Sequence, residues 1–430
     1  MNIRYLLVLL IVSLASVGVQ AQDVPAEIPE GETVEITFYS YNLGSAGITA
    51  EGTENLIAAF EAEHPNITVN GIGIPAGEIT SRVQADLVAG TPPDVAQLIF
   101  DDMAFLATNR IATPLEAIVP AEELDEHLGG MVSNGVELGR FEGQTYGLAY
   151  TFSTPILFYN ADLFRAAGLD PEAPPTNWDE VMEYSLAIRE ATDAWGIFVA
   201  TTGRFDWITQ SLVLSNGGRV LSEDRTELMF GGPEAIGAIQ QMRDLVDAGV
   251  MPNFTTGETL DAMSAGDLAM YVQSSAIQST LVPPSIGNYE LRAAVMPGFG
   301  DSEAVPTNSG SALFVITQDP LKQRAAWEFM KFVTSREGYT IITSEIGYLP
   351  LRPEIVEMDE YLAPYVAENP LILPNLEQLE RLQPWAAFPG PNYRQIIQIM
   401  QDAVEASIFG DGDVAELMQA AEERASDLMP

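Results

Sequence analysis

The sequence predicts an α/β protein of two lobes, each a mixed sheet flanked by helices, with hinge strands joining them. Three observations lead there. The chain has 430 residues, and once an N-terminal leader of 21 is set aside the remaining 409 exceed what one compact core organises. Period-two apolar runs alternate with amphipathic helical stretches, the pattern of βα units around a largely parallel sheet. Strand patterns also recur late, after a second lobe has been laid down, so each lobe is assembled from discontinuous pieces.

The elements follow in order. Residues 1–21 carry one early charge (Arg4), an apolar run from Tyr5 to Val12 and small residues at Val19-Gln20-Ala21. That is the pattern of a signal peptide, with an apolar core too short to span a membrane. Residues 22–33, rich in Pro and Glu, are expected to be disordered. Lobe 1 is expected to use 34–147 and 312–352. Its first strand is Val34-Glu-Ile-Thr-Phe-Tyr-Ser40, followed by a helix from Thr53 to His64 that Pro65 stops. A strand at Ile67, a helix from Ile79 to Ala89 ended by Gly90 and a buried strand from Asp94 to Phe100 complete the opening.

Lobe 2 is expected over 151–298 and 356–430. It holds a helix from Trp178 to Ala191 with Asn177 as N-cap, a strand at Trp195 and a helix from Ile208 to Leu214. A long amphipathic helix from Pro233 to Ala248 and a returning strand from Asp267 to Gln273 follow. A return strand from Gly310 to Ile316 and a helix from Lys322 to Thr334 belong to lobe 1. The tail after Tyr361 reads as helical with a break from Pro384 to Pro391. Hinges are expected near 146–151, 296–311 and 352–356.

Cysteine is absent, which excludes disulfides, thiolate catalysis and cysteine-ligated metal. It also excludes a lipidated cysteine anchor, so a secreted, periplasmic or otherwise extracytoplasmic location is expected. The formal charge is −42, and lysine occurs only at Lys322 and Lys331. So acidic a surface excludes nucleic acid and anionic lipid as partners, because basic groups must meet phosphate. No direct membrane insertion is expected, and self-repulsion favours a monomer. Such acidity serves solubility or, alternatively, suits saline surroundings that screen the repulsion.

Catalytic patterns are lacking. His64 and His127 are the only histidines and have no metal-ligand spacing between them, and no nucleophile elbow, zinc-helix or P-loop motif occurs. Asp411-Gly-Asp413 starts like a calcium loop but lacks the later glycine and glutamate. No enzyme, cofactor or metal is therefore expected. Among 61 acidic residues a glycosidase-like carboxylate pair could always be found, so a secreted glycoside hydrolase stays as an alternative. Aromatics at the predicted mouth are Tyr41, Phe205, Trp207, Trp385 and Tyr393, and Asp101 lies nearby. Rings combined with a few oriented hydroxyl or carboxylate groups suit the C–H faces and hydroxyl rims of sugars. The competing role for each tryptophan is core packing. Arg394 offers a bidentate partner for phosphate or a uronate, or else a surface salt bridge.

Motifs spread along the chain carry a resemblance to a family. They are Asn55-Leu-Ile-Ala-Ala-Phe-Glu-Ala-Glu-His-Pro-Asn-Ile-Thr-Val, Gly90-Thr-Pro-Pro-Asp-Val, Tyr159-Asn-Ala-Asp-Leu-Phe, Gly266-Asp-Leu-Ala-Met, Ala326-Trp-Glu-Phe-Met-Lys-Phe and Gly347-Tyr-Leu-Pro-Leu-Arg. In this order they resemble the family 1 extracellular solute-binding proteins of bacterial ABC importers, the carbohydrate, glycerol-3-phosphate and maltose type. The resemblance implies the type II periplasmic-binding-protein fold, a sugar or related polyol captured by hinge closure, and delivery to a membrane permease. A glycerol-3-phosphate, uronate or other small-solute binder of the same fold is a further alternative. It also implies ligand contacts at Ser153, Gly310 and Tyr348 and at Ser274 or Ser275, while Asp101 matches an aspartate that bonds sugar hydroxyls in the maltose branch. Departures are evident. Ile397 stands at the phosphate-binding arginine, Gln97 and Ala76-Gly77 at a first-lobe glutamate and tyrosine, and Leu98 and Ala276 at two stacking tryptophans.

Overall fold

The computed structural model describes residues 24–430 apart from 46 and 204. The expected signal peptide lies outside the described residues. Within the stretch expected to be disordered, Val24 and Ile28 pack half-buried against the core and a turn bonds Glu32 N–H to the Pro29 carbonyl.

Two sheets carry the architecture. The first comprises strands β1 (Val34–Ser40), β2 (Ile67–Gly73), β3 (Val95–Ile99), β6 (Gly147–Ser153) and β11 (Ser309–Val315), in the order β2-β1-β3-β11-β6. The early βα units make β1 parallel to β2 and β3, while late-arriving β11 inserts antiparallel between β3 and β6. A two-stranded hairpin, β4 (Arg140–Phe141) and β5 (Gln144–Thr145), precedes β6 and was not evident from the sequence pattern. The second sheet comprises β7 (Pro155–Asn160), β8 (Trp195–Val199), β9 (Leu268–Ser274) and β10 (Leu291–Ala294), in the order β10-β7-β9-β8. Both are mixed sheets covered by helices, the type II arrangement.

Local chemistry explains the helix limits. Gly90 takes a left-handed φ of 77° and caps Ile79–Ala89, where a side chain would be strained. Asn177 accepts the Glu180 N–H at 2.9 Å to start Trp178–Ala191, and Asp319 caps Pro320–Val333 in the same way. The first helix spans Ile48–Glu63, starting five residues before Thr53, because Gly47 supplies a turn at φ 75°. The helix expected from Ile208 starts at Asp206 and ends at Ser215.

The change of sheet falls at Thr154, between β6 and β7, because β6 stays in the first sheet through Ser153. It lies just beyond the 146–151 expected from sequence. Thr154 is pinned from two sides. Its hydroxyl donates to Asn375 Oδ1 at 3.1 Å and accepts from Gln378 Nε2 at 2.8 Å. The same Nε2 reaches the Pro155 carbonyl at 2.7 Å, and Gln378 Oε1 accepts Met296 N–H at 3.3 Å. One buried amide, at the end of helix Leu373–Gln378, thus ties the Thr154 crossing to the stretch that follows β10. Gln378→Ala should lower stability by about 3 kcal/mol, from the lost bonds and the void left behind. Urea denaturation of the variant against wild type measures this.

The first lobe also holds an acid-sensitive histidine. His127, on helix Ala121–Leu128, sits 2.7 Å from Thr334 Oγ1 and edge-on to Trp327. Burial, then the charges of Arg352 and Lys331, push it down to about 3. Folded His127 is therefore neutral where the unfolded imidazole, near 6.5, binds a proton. Stability is lost as pH falls below about 6.5, by at most about 1.4 kcal/mol per pH unit from this group. His127→Gln should flatten the slope of unfolding free energy between pH 6.5 and 5 by about one proton.

Candidate functional site

The carboxyl ends of β1 and β3, the end of β6 and the start of β11 meet where the lobes face each other. Their inward side chains are polar and mutually bonded. Ser40 Oγ donates to Gln97 Oε1 at 2.6 Å, and Gln97 Nε2 donates to Ser311 Oγ at 3.0 Å and Asn42 Oδ1 at 3.1 Å. Ser311 Oγ and Thr151 Oγ1 are 2.6 Å apart, and Tyr41 Oη lies 3.2 Å from Thr151 Oγ1. Burial pushes the phenols of Tyr41 and Tyr348 upward, so both keep their protons. Hydroxyls and amides thus form a buried network at this end of the first sheet, with no charged group among these side chains.

At the hinge, Ser274 Oγ donates to Ser153 Oγ at 2.8 Å and Ser275 N–H donates to the Thr154 carbonyl at 3.0 Å. Gly310 has φ 111°, and a Cβ there would stand 2.0 Å from the Thr151 carbonyl oxygen. Close approach of β11 to β6 accounts for this glycine.

The second-lobe wall is built by helix Asp206–Ser215 and the loop before helix Tyr393–Phe409. Trp385 Nε1 donates to Asp206 Oδ2 at 2.7 Å, and its backbone N–H donates to Asn308 Oδ1 at 2.8 Å. Gln210 holds the next residue through Ala386 N–H at 2.9 Å and the Ala386 carbonyl at 3.4 Å. The indole is 9% exposed and forms a shared wall. On one side lies a cavity of about 280 Å³ bounded by Asp101, Asp206, Arg394 and Gln401. On the other is one of about 270 Å³ bounded by Phe100, Met103, Phe141 and Asn308 and by the charged Arg140, Arg219 and Arg225.

A polar latch crosses between lobes beside the first cavity. The fully buried Asp102, on the first-lobe turn after β3, accepts from Thr80 Oγ1 at 2.5 Å through one oxygen. Its other oxygen accepts the Tyr393 hydroxyl and Arg394 Nη2, the latter at 3.0 Å. Arg394 Nε also donates to the Tyr393 hydroxyl at 2.8 Å. Burial and then the Asp102 charge push the Tyr393 phenol upward, keeping it a donor.

The structure places the sequence-nominated residues unevenly. Tyr41, Ser153, Ser274, Gly310 and Tyr348 gather around the buried hydroxyl network, and Ser275 lines a cavity with Tyr348. Asp101, Trp385 and Arg394 share the cavity beside the latch. Two expectations need correction. Trp207 is 2% exposed in the second-lobe core, with half-buried Phe205 edge-on to it at 6.5 Å, because it lies on helix Asp206–Ser215, which is buried along nearly its whole length. Tyr393 is buried and bound to Asp102, and its ring stacks on Phe105 at 6.4 Å, so it offers no sugar platform. Arg394 is engaged by Asp102 rather than by a surface carboxylate. Sequence reasoning missed Asp102, Asp206, Gln210 and Asn308; polar residues interrupting apolar runs were the available signal. Among the described residues, no His, Cys, Asp and Glu cluster suits a metal ion, and no helix is long and apolar enough to cross a membrane.

Two sheet-and-helix lobes meeting across a polar, aromatic-walled cleft define a two-lobed ligand-binding protein. Residues 55–372 match the family described as bacterial extracellular solute-binding protein, and the chain belongs to it. It is 23% identical over 414 residues to the sn-glycerol-3-phosphate-binding periplasmic protein of Pectobacterium atrosepticum, covering 92% of this chain and 91% of that one. It is similar in structure to the cyclic alpha-maltosyl-1,6-maltose binding protein of Arthrobacter globiformis. There the TM-score is 0.80 at 23% identity, over 92% of this chain and 99% of that one. UgpB of Mycobacterium tuberculosis, solved in complex with glycerophosphocholine, gives a TM-score of 0.76 at 22% identity, over 92% and 98% of the two chains.

Proposed function

We propose that this chain is the extracytoplasmic capture component of an ABC importer, taking a sugar or related polyol and presenting it to a membrane permease. The observation that carries the reading is the Trp385 indole standing between two cavities, beside a buried, uncharged network of hydroxyls and amides at the end of the first sheet. Rings and neutral donors of this kind suit polyhydroxylated solutes. In the cavity that Trp385 shares with Asp101, the one cation among the described lining residues, Arg394, is paired with Asp102, which favours a neutral solute over a phosphate ester there, while Arg140, Arg219 and Arg225 line the cavity on the other side of the indole. The similar proteins of known structure include both sugar and glycerophosphocholine binders, so the fold accommodates either.

Capture proceeds by closure about Thr154 and the two other crossings, with contacts from both lobes shifting the population toward the closed form. Binding without catalysis is the reading; Asp206 and Asp102 already accept hydrogen bonds from Trp385, Tyr393 and Arg394. A secreted monomer released by cleavage after residue 21 completes it. Calorimetry and small-angle scattering with maltose, maltotetraose, glycerophosphocholine and glycerol 3-phosphate test the reading. A neutral sugar should evolve heat and contract the particle. No heat and an unchanged scattering profile across the panel would overturn it, and release of reducing sugar from polysaccharide would establish the hydrolase instead.

A further inference from the structure

The cavity on the far side of Trp385 concentrates positive charge in a chain whose formal charge is −42. Of the 19 basic residues in the sequence, three line it: Arg140 from β4, and Arg219 and Arg225 from the second-lobe segment after helix Asp206–Ser215. Two of them are engaged. Arg140 pairs with Glu137 at 2.8 Å and Arg219 with Glu223 at 2.9 Å, and both carboxylates also line the cavity. Arg225 differs. Its Nη2 donates to the Ala387 carbonyl, and its guanidinium lies over the first-lobe Phe141 ring, 5.2 Å from the centroid. Among the described residues it pairs with no carboxylate. Adjacent Asp224 is taken by Ser222 and Thr226, whose hydroxyls reach its Oδ1 at 2.7 and 2.8 Å. Burial works against the Arg225 charge, and the charge of Glu142 offsets only part of that. The guanidinium nonetheless stays cationic.

A second group points the same way. Asn308 is fully buried and lines the same cavity. Its Oδ1 accepts the Trp385 N–H at 2.8 Å, which fixes the other end of the amide as the donor Nδ2. That donor has no hydrogen-bond partner among the described residues. A buried donor left unpaired is costly, so an acceptor from outside completes it. Water satisfies an amide; the unpaired guanidinium of the same lining selects an acceptor with negative charge. Asn308 and Arg225 hold backbone groups of Trp385 and Ala387, two residues apart and so within about 7 Å along the chain. Both donors therefore belong to one stretch of wall. Much of the remaining lining is apolar, including Phe100, Met103, Leu138, Val220 and Leu221. One unpaired guanidinium balances one negative charge. A phosphate monoester, at about −1.5 to −2 near pH 7, would keep an uncompensated desolvated charge here. A carboxylate matches the planar guanidinium and brings an apolar body to the wall.

We propose that this cavity is a second site, separate from the sugar cavity, for a small carboxylate with an apolar body, held by Arg225 and Asn308. The site does not depend on which solute is captured. Because both side chains also grip the segment carrying Trp385, its occupancy is coupled to capture at the other face of the indole. Calorimetric titration with benzoate, alone and with maltotetraose present, tests this, with benzyl alcohol as the uncharged counterpart. Benzoate should bind stoichiometrically and benzyl alcohol far more weakly. Arg225→Gln keeps a donor for the Ala387 carbonyl and removes the charge. Asn308→Asp keeps the acceptor for the Trp385 N–H and replaces the donor with negative charge. Each should weaken benzoate binding by roughly tenfold or more. Arg225 is half-buried on a turn, so its variant carries the test if the buried charge of Asn308→Asp prevents folding. Unchanged benzoate affinity in Arg225→Gln, equal binding of benzyl alcohol, or no benzoate heat with wild type would overturn the site. Saturating maltotetraose should move benzoate affinity to a limiting value. A loss that grows in proportion to sugar without limit would mean one shared site and overturn the separation. If no sugar binds, the benzoate arm stands alone, so failure of the capture reading and failure of this site are told apart.

Discussion

Trp385→Ala is expected to weaken sugar binding at least tenfold and to lower stability by about 3 kcal/mol. Both effects follow from the indole's position. It is nearly buried, it separates two cavities, and it bonds Asp206 on the second lobe and Asn308 on the chain crossing before β11. Truncating a buried tryptophan costs about 3–5 kcal/mol through lost burial and the void left behind. The binding loss arises because the ring is the aromatic face of the cavity shared with Asp101 and Arg394. Trp385→Phe separates the contributions, keeping a ring but removing the indole donor to Asp206. Calorimetric titration with maltose or maltotetraose, paired with urea denaturation, reads both. Equal affinities in wild type and Trp385→Ala would remove Trp385 from the site.

The second large effect is expected at Asp102. Asp102→Asn removes the charge that holds Arg394 and replaces one acceptor oxygen with a donor group, while keeping the shape. Helix Tyr393–Phe409 packs on Pro233–Asp247 of the second lobe, so the latch joins the lobes directly. Arg394 is about half exposed, and solvent screening limits the coupling to about 1–2 kcal/mol. By mass action that loss weakens sugar affinity roughly fivefold to thirtyfold. The ligand-free variant should show a larger radius of gyration by scattering. A radius and an affinity both equal to wild type would show that the latch does not bias closure.

The fold was largely legible because its determinants are local. Apolar periodicity and stop signals such as Gly90, Pro65 and Asn177 act within a few residues, and they located most of the elements they named within one or two positions. The antiparallel insertion of β11 between β3 and β6 has no local signature; it depends on which edges remain unpaired when the chain returns. The site was legible only in part. Aromatic character nominated Trp385 for the cleft and the family resemblance nominated Asp101 and Tyr348, and each lines a cavity. Aromatic character alone could not distinguish Trp207, which the helix buries, from Trp385, which a proline-bounded loop leaves at a boundary. Nor could sequence reveal that Asp102, adjacent to the nominated Asp101, meets Arg394 from 292 residues further along.

Each half is completed out of order. The first sheet stays without its β11 strand until residue 315, and Pro233–Asp247 lacks its covering helix until residue 409. During vectorial synthesis the early segments must therefore remain loosely collapsed, with exposed sheet edges, until nearly all of the polypeptide has emerged. A chain that cannot mature early remains competent for threading through a translocation pore and vulnerable to proteases along the way.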